Sequence, residues 1–392
     1  MFWYSRVATT LGSNIIAVAV GWQMYQLTNS ALNLGLIGLT QFIPLIALVL
    51  VVGHVADRYD RRMVGRWAQL LQAAAGALLL ATNITGTISP PLIYLAVLGI
   101  GIGRAFEVAC MQALMPNLVP PQIISAAAAR WTSSNQTAVI IGPALGGFLY
   151  AAAPAVAYGA VAVLYTAAAI MLTLIVVAPR RIDREPPTLT SLFAGFHFIL
   201  HQPVVLGAIS LDLFAVLLGG ATALLPIYAR DVLVMGPWGL GLLRSAPAVG
   251  ALATSMYLAR HRIRRHGGRI MFAAVAVFGF ATIVFGLSRS FALSFAALVV
   301  LGMADVISVV IRSALVAILT PDEMRGRVAA VNSVFIGTSN QLGEFRAGVS
   351  AAALGPVGAV LIGGIGSILV ALIGSRVFAQ LARTDSPESA AS

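Results

Sequence analysis

Apolar runs long enough to cross a lipid bilayer recur along this chain, separated by short loops that hold most of its charge. A spanning helix takes about 20 apolar residues, and hydrocarbon offers an unpaired backbone group no partner. The pattern predicts helices over 5–27, 34–56, 63–83, 91–114, 123–150 and 155–178. After a polar stretch it predicts six more, over 203–229, 238–259, 269–288, 291–318, 327–350 and 355–379. The expected domains are a six-helix bundle over 1–178, a cytoplasmic connector over 179–202, a second bundle over 203–380 and a disordered cytoplasmic tail over 381–392. Leu192, Phe193, Phe196 and Ile199 make part of the connector weakly amphipathic, suited to a membrane surface.

Composition agrees. Charged residues are 9% of the 392-residue chain and the mean hydropathy is +0.93, where a soluble domain carries about 25% charge. This is an integral membrane protein. All 24 basic residues are arginine and the formal charge is +11, but they sit in short loops rather than along one face. Loop asymmetry explains them and nucleic-acid binding is excluded. With the first residue inside, one side holds Arg58, Arg61, Arg62, Arg66, Arg180, Arg181, Arg184, Arg260, Arg262, Arg264, Arg265, Arg269, Arg325 and Arg327; the other holds only Arg230 and Arg289. Both termini are therefore expected in the cytoplasm, in a bacterial inner membrane. The first apolar run begins directly after Met1 and is read as a retained helix rather than a leader.

Charges inside spanning segments are expensive and mark a partner or a wet cavity. Arg104 and Glu107 lie three apart in the fourth segment and can pair. Asp212 lies in the seventh with no acid–base neighbour on its own helix, and Asp305 and Arg312 lie two turns apart in the tenth. Gly142, Pro143, Gly146 and Gly147 in the fifth segment combine a helix-kinking proline with small residues that permit close helix approach. Cys110 stands alone, so no intramolecular disulfide forms. His197 and His201 lack a third ligand nearby. No phosphate-binding loop or catalytic constellation is present, so neither an enzyme, a cofactor nor a metal is expected.

The charged island from Gly53 to Arg66 reads as a tight loop at a membrane surface. Its Gly53, Asp57, Arg58, Arg61 and Arg62 resemble the Gly-x-x-x-Asp-Arg-x-x-Arg-Arg signature between helices 2 and 3 of major facilitator superfamily transporters. The Gly-Pro-x-x-Gly-Gly pattern at Gly142–Gly147 resembles the fifth helix of that superfamily's antiporters. The stretches from Ser210, Leu224, Gly241 and Arg325 look like its enterobactin-exporter-like, drug–proton antiporter-like branch. The resemblance implies twelve transmembrane helices in two six-helix halves, with helices 1, 4, 7 and 10 around a central cavity. It implies a conformational latch at Gly53–Arg62, with Asp57 facing the start of helix 11 near Arg327, and Asp322 or Glu323 answering Arg61 or Arg62. Such contacts are worth about 0.3–2 kcal/mol each.

It further implies that Asp212, then Asp305, then Glu107 carries a proton, while Arg104 or Arg312 attracts an anion or resets the carboxylate. Asn14, Trp22 and Gln23 would form the wall from helix 1. Tyr25, Phe106, Trp131 and Phe214 are cavity wall or plain packing. Arg346 departs from the pattern and would suit an anionic ligand. The implied function is proton-coupled export of a small amphipathic or anionic molecule, siderophore- or drug-like, by alternating access. The expected partners are that molecule, protons and lipid, with the protein a monomer. A nutrient importer and a lipid scramblase or non-transporting receptor remain alternatives.

Overall fold

The computed structural model describes residues 1–118, 122, 124–175, 189–261 and 266–383. The expectations for 179–188, the arginines at 180, 181, 184, 262, 264 and 265, and the tail beyond 383 lie outside these residues. The described chain is helical. Its elements are α1 (Phe2–Thr28), α2 (Ala31–Ala47), α3 (Val49–Arg58), α4 (Arg61–Ile84), α5 (Pro90–Leu118), α6 (Ile124–Ala152), α7 (Pro154–Thr173) and α8 (Leu189–His201). There follow α9 (Pro203–Gly219), the short α10 (Leu225–Ile227), α11 (Pro237–Arg260), α12 (Gly267–Leu287), α13 (Phe291–Leu319), α14 (Asp322–Val377) and α15 (Ala379–Arg383). Among the described residues, eight helices are long and apolar enough to cross a membrane. One of these, α14, is two spans joined at Gly355, whose φ of 75° favours glycine. With α2–α3, α6 and α11 the count is twelve, an all-α membrane protein.

Local chemistry sets the ends. Asn29 closes α1 in the left-handed region at φ 46°, its N–H donating to the Tyr25 carbonyl. Asp60 caps α4, its side chain accepting from the Arg62 N–H. Val163, Phe280 and Ile84 are each more than 60% exposed in the bare chain, which suits hydrocarbon and not water.

The seventh span differs from its expectation as one helix. Regular α-helix stops at Gly219; a 3₁₀ turn (Ala221–Leu224), α10 and a π turn (Tyr228–Val232) carry the chain onward. Steric pressure accounts for the break. A Cβ on Gly220 would stand 2.5 Å from the Gly343 carbonyl oxygen, so only glycine permits the approach of α14 here. The connector helix also differs. Ile199 of α8 is buried with Val205, Ile209, Val328 and Val331, and Phe196 meets Phe335 at 6.3 Å between ring centroids. Ile199 thus packs on protein, while Phe196 stays 41% exposed and the side chains of Leu192 and Phe193 lie outside the described part.

Two compact units emerge. One comprises Met1–Asn29, Leu39–Pro187 and Val234–Ser245; the other comprises Ser30–Gly38, Thr188–Leu233 and Ala246–Ser392. In the first, α1 packs on α6 and α7, and α4 on α5 and α7. In the second, α9 packs on α14, and α12 on α13 and α14. Counted as spans, the third pairs with the fourth and sixth in one unit as the ninth pairs with the tenth and the merged eleventh–twelfth in the other. Glycines stand at equivalent contacts: Gly76 abuts Val161 and Ala162, and Gly279 abuts Gly364 and Ile368.

The fifth-span glycines are consumed by packing. A Cβ on Gly142 would meet Asn14, one on Gly146 would meet Ile15 backbone at 2.9 Å, and one on Gly147 would meet the Pro237 carbonyl at 2.5 Å. A Cβ on Gly241 would in return stand 3.0 Å from the Gly147 Cα. In the second unit Gly35 and Gly348 form a like pair, a Cβ on Gly35 standing 3.0 Å from the Gly348 Cα. Gly147→Ala is expected to destabilise by about 1–3 kcal/mol through overpacking against backbone. Gly326→Ala, with nothing within 4 Å of the added methyl, is expected to be neutral or stabilising by up to about 1 kcal/mol. Thermal unfolding of the purified protein in detergent checks both.

Candidate transport site

Among the described residues, each unit holds a buried ion pair between its first and fourth span. In the second, Arg312 of α13 pairs with Asp212 of α9, their exposures 4% and 7%. Asp305 and Arg312, two turns apart on the same helix, form no ion pair with each other. Seven residues separate them by about 10.5 Å along the helix axis, whereas Asp212 faces Arg312 from the neighbouring helix. Asp305 is half-buried and lines a small cleft with Asp212, Ala215, Val216, Phe278 and Ser308. Among the described residues no side chain donates a hydrogen bond to it. Three ionisable groups, two acidic and one basic, thus meet in one place.

In the first unit Glu107 of α5 is 4% exposed and pairs with Arg6 of α1 at 3.0 Å. Its other oxygen accepts from Gln72 Nε2 of α4 at 2.8 Å. The expected Arg104–Glu107 pair is not formed: both carboxylate oxygens are filled from facing helices, and Arg104 is exposed. Compared with the second unit, the charges are exchanged, arginine on the first span and acid on the fourth. Sequence reasoning missed Arg6 because it stands at the edge of its apolar run and reads as a helix terminus. Gln72 is signalled only as a polar residue inside a span.

Arg346 is spoken for. Its Nε donates to the Leu217 carbonyl at 2.9 Å and Nη2 donates to that of Leu218. These carbonyls belong to the last turn of α9, where no downstream N–H answers them. A guanidinium from α14 therefore caps the broken helix and complements its dipole. This explains the added arginine without an anionic ligand.

The helix 1 residues are engaged within their own unit. Gln23 donates to Asn83 at 2.5 Å and accepts from the Tyr158 hydroxyl at 2.6 Å. Asn14 donates to the Thr10 carbonyl at 2.8 Å, and Trp22 is 9% exposed. In the charged loop, Gly53 lies on α3 and Arg58 ends it, while the Asp57 side chain lies outside the described part. Arg61 has a polar interaction of its own. Arg62 pairs with Asp60 at 2.9 Å and donates to the Ile175 carbonyl at 2.7 Å, tying the loop to the end of the sixth span. Asp322 pairs with Arg325 one turn along its own helix at 2.6 Å. His201 Nδ1 lies 2.8 Å from the His197 carbonyl oxygen, and the described residues hold no cluster of three metal-binding side chains.

Twelve spans in two repeating units, each cross-braced by a buried ion pair, define a membrane carrier. The chain belongs to the transmembrane secretion effector family of the major facilitator superfamily, whose model matches residues 1–392. It is 29% identical over 371 residues to the enterobactin exporter EntS of Citrobacter koseri, covering 91% of this chain and 84% of that one. It is 25% identical over 265 residues to macrolide efflux protein A of Streptococcus pyogenes, covering 65% of this chain and 64% of that protein's length. Among solved structures, a bacterial homologue of the lysosomal transporter Spinster matches with TM-score 0.75 at 14% identity, over 97% of this chain and 95% of that one. A bacterial ferroportin homologue matches with TM-score 0.71 at 16% identity, over 97% and 98%. The protein is a multi-pass membrane transporter of this superfamily.

Arg346→Met is expected to destabilise by about 1–3 kcal/mol, since two carbonyls lose their donors; loss of apparent unfolding temperature in detergent measures it. The hydrogen bond from Arg62 holds the Asp60 carboxyl below its ordinary range. Its contribution is therefore present above about pH 4 and fades as pH falls through the lowered value. Asp60→Asn keeps the cap but removes this step, so wild type and variant unfolding temperatures should converge as pH drops from 5 to 3.

Proposed function

We propose that this transporter exports a small amphipathic or anionic organic molecule across a bacterial inner membrane in exchange for protons, with both termini cytoplasmic. The observation that carries the reading is the Asp212–Arg312–Asp305 group. Arg312 supplies one positive charge and is committed to Asp212, which leaves Asp305 as the carboxylate free to take up and release a proton beside the same cleft. Asp212 was the first choice from sequence; its ion pair now favours Asp305 for that role. Protonation of Asp305 removes one of two neighbouring negative charges, so the proton and a conformational change can be linked through Arg312. The names of the relatives, an exporter and an efflux protein, support the outward direction. The acidic and basic residues of the Gly53–Arg62 loop serve as the latch that biases the two states.

Inside-out membrane vesicles incubated with a panel of anionic and cationic fluorescent dyes in the medium test this. Wild type should accumulate at least one dye when the interior is acidified by an imposed gradient, and collapse of the gradient should release it. Asp305→Asn should abolish the gradient dependence while the protein stays folded. Asp212→Asn should instead destabilise by about 3–5 kcal/mol, because Arg312 is left buried without its partner. Gradient-driven accumulation that persists in Asp305→Asn overturns the assignment.

A further inference from the structure

The cluster around Trp131 takes no part in the proton step and lies wholly within the first unit. The Arg6 guanidinium carbon stands 4.7 Å from the Trp131 ring centroid. Phe2 stacks on the same indole at 5.5 Å between centroids. Between α1 and α6 opens a small cleft lined by Trp3, Arg6, Val7, Trp131, Ser134 and Asn135.

The two carboxylate oxygens of Glu107 are taken by Arg6 and Gln72, and Oδ1 of Asn135 accepts from the Thr10 hydroxyl at 2.8 Å. The amide NH₂ of Asn135 and the indole N–H groups of Trp3 and Trp131 add donors to the lining. Arg6 Nε is buried with no acceptor among the described residues, and such an orphan calls for a partner. Arg104 lies near enough to act electrostatically on Arg6. Arg6, Arg104 and Glu107 together carry a net positive charge.

We propose that this cleft recognises a flat, anionic headgroup, an aryl carboxylate in chemical class, on the transported molecule. Indole faces and a guanidinium plane favour a flat ring. The orphaned Arg6 Nε and the excess of guanidinium over carboxylate charge around it favour an anion over a cation. The inference rests on the export reading: with a cytoplasmic N-terminus, the opening turns of α1 lie at the end from which an exporter loads.

Calorimetric titration of the purified full-length protein with three probes of one shape tests it: 2-naphthoate, 2-naphthalenemethanol and 2-naphthylmethylamine. Naphthoate should bind at least about tenfold more tightly than the amine, with the alcohol between. Trp131→Leu should weaken naphthoate by about tenfold. Arg104→Gln, at an exposed position that folding tolerates, should weaken naphthoate and leave the alcohol unchanged. Absence of naphthoate binding, equal binding of acid and amine, or unchanged naphthoate affinity in the Arg104→Gln protein each overturns the proposal. Naphthoate selectivity without gradient-driven transport sinks the export reading and leaves the cleft standing. Gradient-driven export of cationic dyes without that selectivity does the reverse.

Discussion

Hydrocarbon offers no hydrogen bond, and a polar atom left inside it without a partner in the protein is costly. That constraint runs through the whole structure. It forces the backbone into helices, and it explains why the buried charges come as cross-helix pairs, Arg6 with Glu107 and Arg312 with Asp212. It also explains Arg346. Where α9 breaks at Gly219, its last carbonyls cannot turn to water, so a guanidinium from α14 reaches them. Buried ion pairs of this sort are weak evidence for stability, because desolvation offsets their attraction. What they supply is a fixed partner for each helix, and so a particular packing.

Close packing without a hydrophobic drive between helices depends on van der Waals contact between small residues. The glycine contacts show this at atomic range: Gly147 against Gly241 in one unit, Gly35 against Gly348 in the other. The two units thus repeat helix pairing and glycine contacts, while the buried charges appear with arginine and acid exchanged. Duplicated packing with inverted polarity leaves one half with a carboxylate lacking a partner, Asp305, and the other with a cleft rich in donors. The proposed proton step and the proposed headgroup site follow from that asymmetry.

Most of the helices were legible because hydropathy over about 20 residues is a local property. The predicted limits of the first span, 5–27, fall within the observed Phe2–Thr28, and Gly355 separates the last two spans close to the predicted boundary. The break after Gly219 was not legible, since Leu217 through Leu225 reads as one apolar run. It is imposed by the Gly343 carbonyl of another helix. The amphipathic connector was visible as a pattern, but whether Ile199 would meet lipid or protein depended on Val328 and Val331 being there to receive it.

The candidate site divides along the same line. Asp212, Asp305, Arg312 and Glu107 stand out in the sequence because a charge in an apolar run has a high cost wherever it lies. Their partners do not, because Asp212 and Arg312 are a hundred residues apart and Arg6 and Glu107 one residue farther. The amino-acid sequence by itself determined that the chain lives in a membrane, crosses it as helices and carries charge where charge is expensive. Which carboxylate is ion-paired, and which is not, was decided only when distant helices came together. Hydropathy accumulates along a chain, whereas an ion pair exists only between atoms that tertiary contact has brought within reach.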